Sequence, residues 1–142
     1  MTAGMTAAES AAESETKKLK IAACQIASGT DKAENLREIG RLTALAAAEG
    51  ADLAVFPEYA MYNVRALTPE FVAQAEPLDG PFVTELRRLA AEHGIAIVAG
   101  MHEAAGGTGG AGDARAANTL VAVDGTGEFL GLYRKQHLYD AF

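Results

Sequence analysis

Residues 19–58 read LKIAACQIASGTDKAENLREIGRLTALAAAEGADLAVFPE, and this stretch decides the fold. In an extended chain its first nine residues put Leu19, Ile21, Ala23, Gln25 and Ala27 on one face and Lys20, Ala22, Cys24 and Ile26 on the other. Apart from Lys20 and Gln25, both faces are apolar or small, as in a strand buried in a layered α/β protein. Ser28-Gly29-Thr30 breaks the strand. Asp31 and Glu34 then read as a box-like N-cap. Leu36, Ile39, Leu42, Thr43 and Ala46 follow at helical spacing, and Gly50 suits a left-handed helix end. Residues 52–56 form a second apolar strand that Pro57 stops. Strand, helix and strand in this order predict a βαβ unit with parallel pairing.

Working outward, Thr68-Pro69-Glu70 opens a short helix with proline at its first position. Residues 79–93 predict a longer helix with Phe82, Leu86, Leu89 and Ala90 on one side, ended by Gly94. Residues 95–100, IAIVAG, read as a third strand, again apolar on both faces. Residues 114–123 and 128–134 predict a hairpin about the turn Asp124-Gly125-Thr126-Gly127. Residues 1–18 carry Glu9, Glu13 and Glu15 before any lysine and lack a long apolar core, so they read as a flexible tail rather than a secretory signal. No internal repeat or second domain is apparent.

The chain has 142 residues, the size of one ordinary domain. Its 19 acidic and 12 basic side chains leave a net charge of −7, which disfavours nucleic acid or an anionic membrane as a partner. No apolar run approaches the roughly 20 residues that a bilayer-spanning helix needs. A single cysteine, Cys24, can form neither an internal disulfide nor a multi-cysteine metal site, and the expected setting is the cytoplasm.

Two residues stand out chemically. Glu58 directly follows an apolar strand and a proline, and ligand sites in open α/β sheets gather beyond the C-terminal ends of parallel strands. A carboxylate there suits a general base, if partial burial raises its pKa. The competing reading is a surface turn glutamate. Lys135 follows the last apolar strand, where its ammonium could stabilise an oxyanion or simply be solvated. Cys24, inside the first strand, reads as a buried small hydrophobe rather than a nucleophile. His93, His102 and His137 are too far apart for a metal motif, and His102-Glu103 lacks the second histidine of a zinc helix. His93 reads as a helix C-terminal residue. Gly107, Gly109 and Gly112 match a bare GxGxxG, but a strand rather than a helix follows, so the segment reads as a surface loop. Arg87-Arg88 read as solvated helix residues rather than part of a nucleic-acid stripe.

Taken in order, KIAACQIA, LAVFPE, IAIVAG and NTLVAVDGTGEFLGLYRKQHL resemble the carbon-nitrogen hydrolase (nitrilase-like amidase) superfamily from about residue 19 onward. That resemblance implies a four-layer α-β-β-α sandwich, a Glu-Lys-Cys triad, and neither metal nor organic cofactor. By motif, Glu58 in Phe56-Pro57-Glu58 corresponds to the general base. Lys135 in Tyr133-Arg134-Lys135-Gln136-His137-Leu138 corresponds to the residue that steadies the tetrahedral intermediate. The family's nucleophilic cysteine follows the lysine motif by some tens of residues, and no cysteine follows Lys135 here. The chain is therefore expected to be the N-terminal portion of such a domain, inactive alone. The substrate would be a small amide, carbamoyl compound or nitrile, with amides favoured because amide hydrolysis is the commoner family activity. The full-length protein is expected to be a homo-oligomer, as family members commonly are. Two competing readings are a non-catalytic half-fold serving as an interaction or regulatory module, and a small nucleotide-binding α/β domain.

Overall fold

The structure is a computed structural model that describes residues 18–65, 69–104 and 116–136. The expected tail up to residue 17, Thr68, the glycine segment 106–112, and His137 with Leu138 lie outside the described residues. In chain order the elements are β1 (Ile21–Ala23), α1 (Lys32–Ala48), β2 (Leu53–Val55), α2 (Pro69–Ala73), α3 (Pro81–His93), β3 (Ala96–Ala104), β4 (Ala116–Val123) and β5 (Phe129–Arg134). The five strands form one sheet in the order β1-β2-β3-β4-β5. β1, β2 and β3 pair in parallel, whereas β4 and β5 continue the sheet antiparallel.

Local chemistry explains most element ends. The Asp31 carboxylate accepts from the Glu34 amide and caps α1. Gly94 ends α3 in the left-handed conformation at φ +63°, and its amide reaches the Ala90 carbonyl. The α3 N-terminus, with Gly80 at the cap, has no capping side chain of its own. Glu76 serves instead: Oε2 accepts from the Phe82 amide at 2.7 Å, and Oε1 pairs with Lys32 Nζ at 2.8 Å. In the β4–β5 turn, Asp124 Oδ1 accepts from the amides of Thr126 and Glu128, and Gly127 takes φ +84°.

Helices α1 and α3 cover one face of the sheet. Ile39, Phe82 and Leu86 pack there against Ala54, Phe56, Ile97, Ala99, Met101, Val121 and Val123 in one buried cluster. Cys24 packs at its margin, as a small hydrophobe would. The opposite face is also apolar but open. Ile21 is 54% exposed, Leu120 38% and Tyr133 57%. The sequence pattern therefore predicts burial on both faces of the strands, while the described residues cover only one. β1 is correspondingly short, ending at Ala23 rather than Ala27.

β3 is the central element and runs past the expected end at Gly100 to Ala104. Its first three residues pair with β2. Beyond that, the chain leaving β2 takes over. Phe56 N donates to Val98 O, Gly100 N to Pro57 O, and Met61 N to Gly100 O. Glu76 then bridges the last part of β3, donating to His102 O and accepting from Ala104 N. Segment 57–61 lies so close over β3 that a Cβ on Gly100 would fall 1.9 Å from the Glu58 carbonyl oxygen. Buried Asn35 secures the same segment from α1, donating to Gly29 O and Met61 O and accepting from Gly29 N.

Gly100→Ala should therefore displace backbone rather than a side chain. We expect a loss at or above the upper end of the ~1–3 kcal/mol range typical of overpacking, measurable by urea denaturation. A fully stable Gly100→Ala variant would contradict the close crossing.

Candidate active site

The chain emerging from β2 carries Glu58 onto the open face, past the C-terminal end of β2 and over Gly100 in the middle of β3. β4 and the end of β5 bring two partners from the other side. Lys135 N donates to Asn118 O, which extends the β4–β5 ladder one residue past Arg134. Lys135 Nζ then meets Glu58 Oε1 at 2.8 Å, and Asn118 Nδ2 meets the same oxygen at 2.5 Å. Both donors converge on Oε1, so Oε2 takes neither. The three side chains border a cavity of about 460 Å³ whose apolar wall includes Leu120 and Tyr133 and whose floor is Gly100.

The electrostatics follow from this arrangement. The Lys135 ammonium holds the Glu58 carboxyl below the usual carboxylate range; partial burial opposes this, and the Asn118 amide supports it. Glu58 in turn raises Lys135 above the usual lysine value. The sequence reading asked for a Glu58 pKa raised by burial. Burial does push that way, but the lysine outweighs it. At neutral pH the site therefore holds an ionised carboxylate against an ammonium. Oε2 is free to accept a proton, and the ammonium can stabilise a neighbouring negative charge.

Below this pair lies His102, 2% exposed. Tyr59 stacks on its ring at 5.3 Å and Phe71 meets it edge-on at 4.0 Å. Burial, reinforced by Lys32 and opposed by Glu58, lowers its pKa to about 4, so the imidazole is neutral at pH 7. It is a packing element beneath the Glu58 segment. Cys24 does not line the cavity; its thiol lies 3.8 Å from Ala22 O, and burial raises its pKa. Among the described residues no cluster of three or more His, Cys, Asp or Glu is arranged to hold a metal. None of their helices is long and apolar enough to cross a membrane. Arg88 pairs with Glu85 and Glu92, and Arg87 with Gly127 O, so both arginines are engaged on the protein's own surface.

Sequence reasoning located Glu58 and Lys135 and did not foresee that Asn118 is the third member or that Gly100 is the floor. A glycine inside an apolar strand is a recognised sign of close backbone approach and could have flagged Gly100. Asn118 stood in a quoted motif, but its role depends on a contact 60 residues away in sequence.

Comparison with known proteins places the chain in a family. The carbon-nitrogen hydrolase family profile matches residues 20–142, and the chain belongs to that family. A hydrolase of Mycobacterium tuberculosis is 43% identical over 126 residues, covering 87% of this chain and 42% of the relative. The deaminated glutathione amidase of Mus musculus is 34% identical, covering 84% of this chain and 36% of the relative. An amidase from Nesterenkonia sp. AN1 superposes with a TM-score of 0.70 at 27% identity, covering 86% of this chain and 46% of that one. The chain thus spans about two-fifths of the length of the curated relatives it matches. Its fold is the α/β nitrilase-type fold of these amidases.

Because Lys135 is the main cause of the lowered Glu58 pKa, Lys135→Met should raise it toward or above the ordinary carboxylate value. Carbon-detected NMR titration of the Glu58 side chain reads this directly. An unmoved titration would show that the ion pair does not form in solution.

Proposed function

We propose that this chain carries two members of a Glu-Lys-Cys triad that hydrolyses the carbon–nitrogen bond of small-molecule amides, Glu58 as general base and Lys135 as stabiliser of the intermediate. The observation that carries the proposal is the convergence of Lys135 and Asn118 on Glu58 Oε1 at the edge of the cavity, with Oε2 accepting from neither. The third member is a cysteine other than Cys24, absent from these 142 residues, because Cys24 is the chain's single cysteine and does not line the cavity. One structure of the Nesterenkonia amidase carries acrylamide added at that enzyme's active site cysteine, which supports a thiol as the family's reacting group.

In this scheme Glu58 Oε2 takes the thiol proton and the thiolate forms a C–S bond to the amide carbon. The carbonyl π electrons move to oxygen, where the Lys135 ammonium offsets the charge. Collapse of the intermediate breaks the C–N bond, and the leaving nitrogen takes the proton from Glu58. Water then attacks the thioester and gives a proton to Glu58. The C–S bond breaks, the acid departs, and the returned proton restores the thiol. Two charged groups already in place do this work, so the scheme calls for no metal or organic cofactor. The cavity's Leu120 and Tyr133 wall favours a small amide with an apolar acyl group.

The purified 142-residue chain should release no ammonia from simple aliphatic amides. Joined to the remaining portion of the Nesterenkonia amidase, it should do so. Glu58→Gln in that chimaera should lower kcat/KM by about 10²–10⁴-fold, while Cys24→Ala should leave it unchanged. Turnover by the chain alone that vanished with Cys24→Ala would make Cys24 the nucleophile and overturn the scheme.

A further inference from the structure

A second carboxylate lies across the sheet from the first. Glu103, near the end of β3, is 5% exposed. Its Oε2 accepts from Thr119 Oγ1 at 2.8 Å and from Arg134 Nε at 2.7 Å, and its Oε1 accepts from Arg134 Nη2 at 2.6 Å. This is a bidentate guanidinium–carboxylate pair with an added hydroxyl donor, and it ties three adjacent strands together. The arginine holds the Glu103 carboxyl below its ordinary range, and Glu103 raises Arg134.

The register makes this clamp relevant to the active site. In β4, Asn118 and Thr119 are neighbours that point to opposite faces, and at the end of β5 the same holds for Arg134 and Lys135. Thr119 and Arg134 are paired residues and meet on Glu103; Asn118 and Lys135 meet on Glu58. A slip of one residue in β5 would turn Arg134 toward Glu58 and Lys135 toward the helix-covered face. β5 needs such a lock. It is the outermost of the described strands, Phe129, Leu130 and Tyr133 are exposed, and its ladder with β4 carries an irregularity at Ala122 and Val123.

We infer that Glu103 and Arg134 are positioning residues: the clamp fixes β5 on β4 in the one register that delivers the Lys135 ammonium to Glu58. The inference rests on the proposed roles of Glu58 and Lys135 for its catalytic meaning but not for its test. Neither clamp residue touches the Glu58 carboxylate, so a merely stabilising role would lower the melting temperature and leave the Glu58 titration where it is.

The test uses the 142-residue chain, with the Glu58 side-chain titration followed by carbon-detected NMR and the fold checked by circular dichroism. Arg134→Ala and Glu103→Gln should raise the Glu58 pKa as Lys135→Met does and should broaden or remove the cross-strand backbone contact between positions 119 and 134. Arg134→Lys keeps the charge but loses the two-armed fork, and should give an intermediate shift. If Arg134→Ala does not fold, Arg134→Lys and Glu103→Gln decide the matter. Folded variants with an unmoved Glu58 titration would overturn the inference. Failure of the amidase reading would appear separately, as an active chimaera insensitive to Glu58→Gln.

Discussion

A carbonyl oxygen occupies the space where a side chain at position 100 would begin, and the arrangement of the site depends on that close approach. Because residue 100 is glycine, the chain leaving β2 can lie directly on β3 and exchange backbone hydrogen bonds with it. The crossing sets Glu58 on the open face at a fixed height above the sheet. Other contacts support the same placement. Asn35 holds segment 57–61 from the helix side through Met61 O, and Tyr59 rests on the His102 ring. Glu76 resumes the pairing with β3 further along and caps α3, which ties the loop back to the helical layer.

The two carboxylates illustrate how one sheet can treat like groups differently. Glu103 is almost wholly buried, and its charge is tolerated because three donors satisfy it. Glu58 is half-open to the cavity and has two donors on one oxygen, so it keeps acceptor capacity unused. A saturated carboxylate holds structure in place, whereas one with a free oxygen can take up a proton. The pleat separates the roles, since adjacent residues of the same two strands serve opposite faces.

Much of this architecture was legible before any coordinates. The Asp31 cap, the Gly94 stop and the helical spacing of Ile39 and Leu86 are local signals, and each appears where the pattern places it. Glu58 and Lys135 were legible for a different reason, as members of ordered motifs whose resemblance to a known family carried their meaning. What was hidden is tertiary. Gly100 resembles an ordinary strand end until the Glu58 backbone is placed above it. Arg134 stands in the sequence only as a neighbour of Lys135 until β3 brings Glu103 across. Nor did apolar character on both strand faces indicate which face the helices would cover.

The strand order equals the chain order, and this bears on how the sheet comes to exist. Every strand after the first lands beside the one made just before it, so no strand must be inserted between two already paired. The entropy of loop closure is met in instalments, the largest for the helical excursions between β1, β2 and β3 and the smallest for the turn at Asp124 and Gly127. Glu58 is thus committed to its place by β3, while its lysine arrives with the last strand to dock. During vectorial synthesis the charge pair would close only once the five described strands had paired, which makes it a late reporter of their pairing rather than a seed for it.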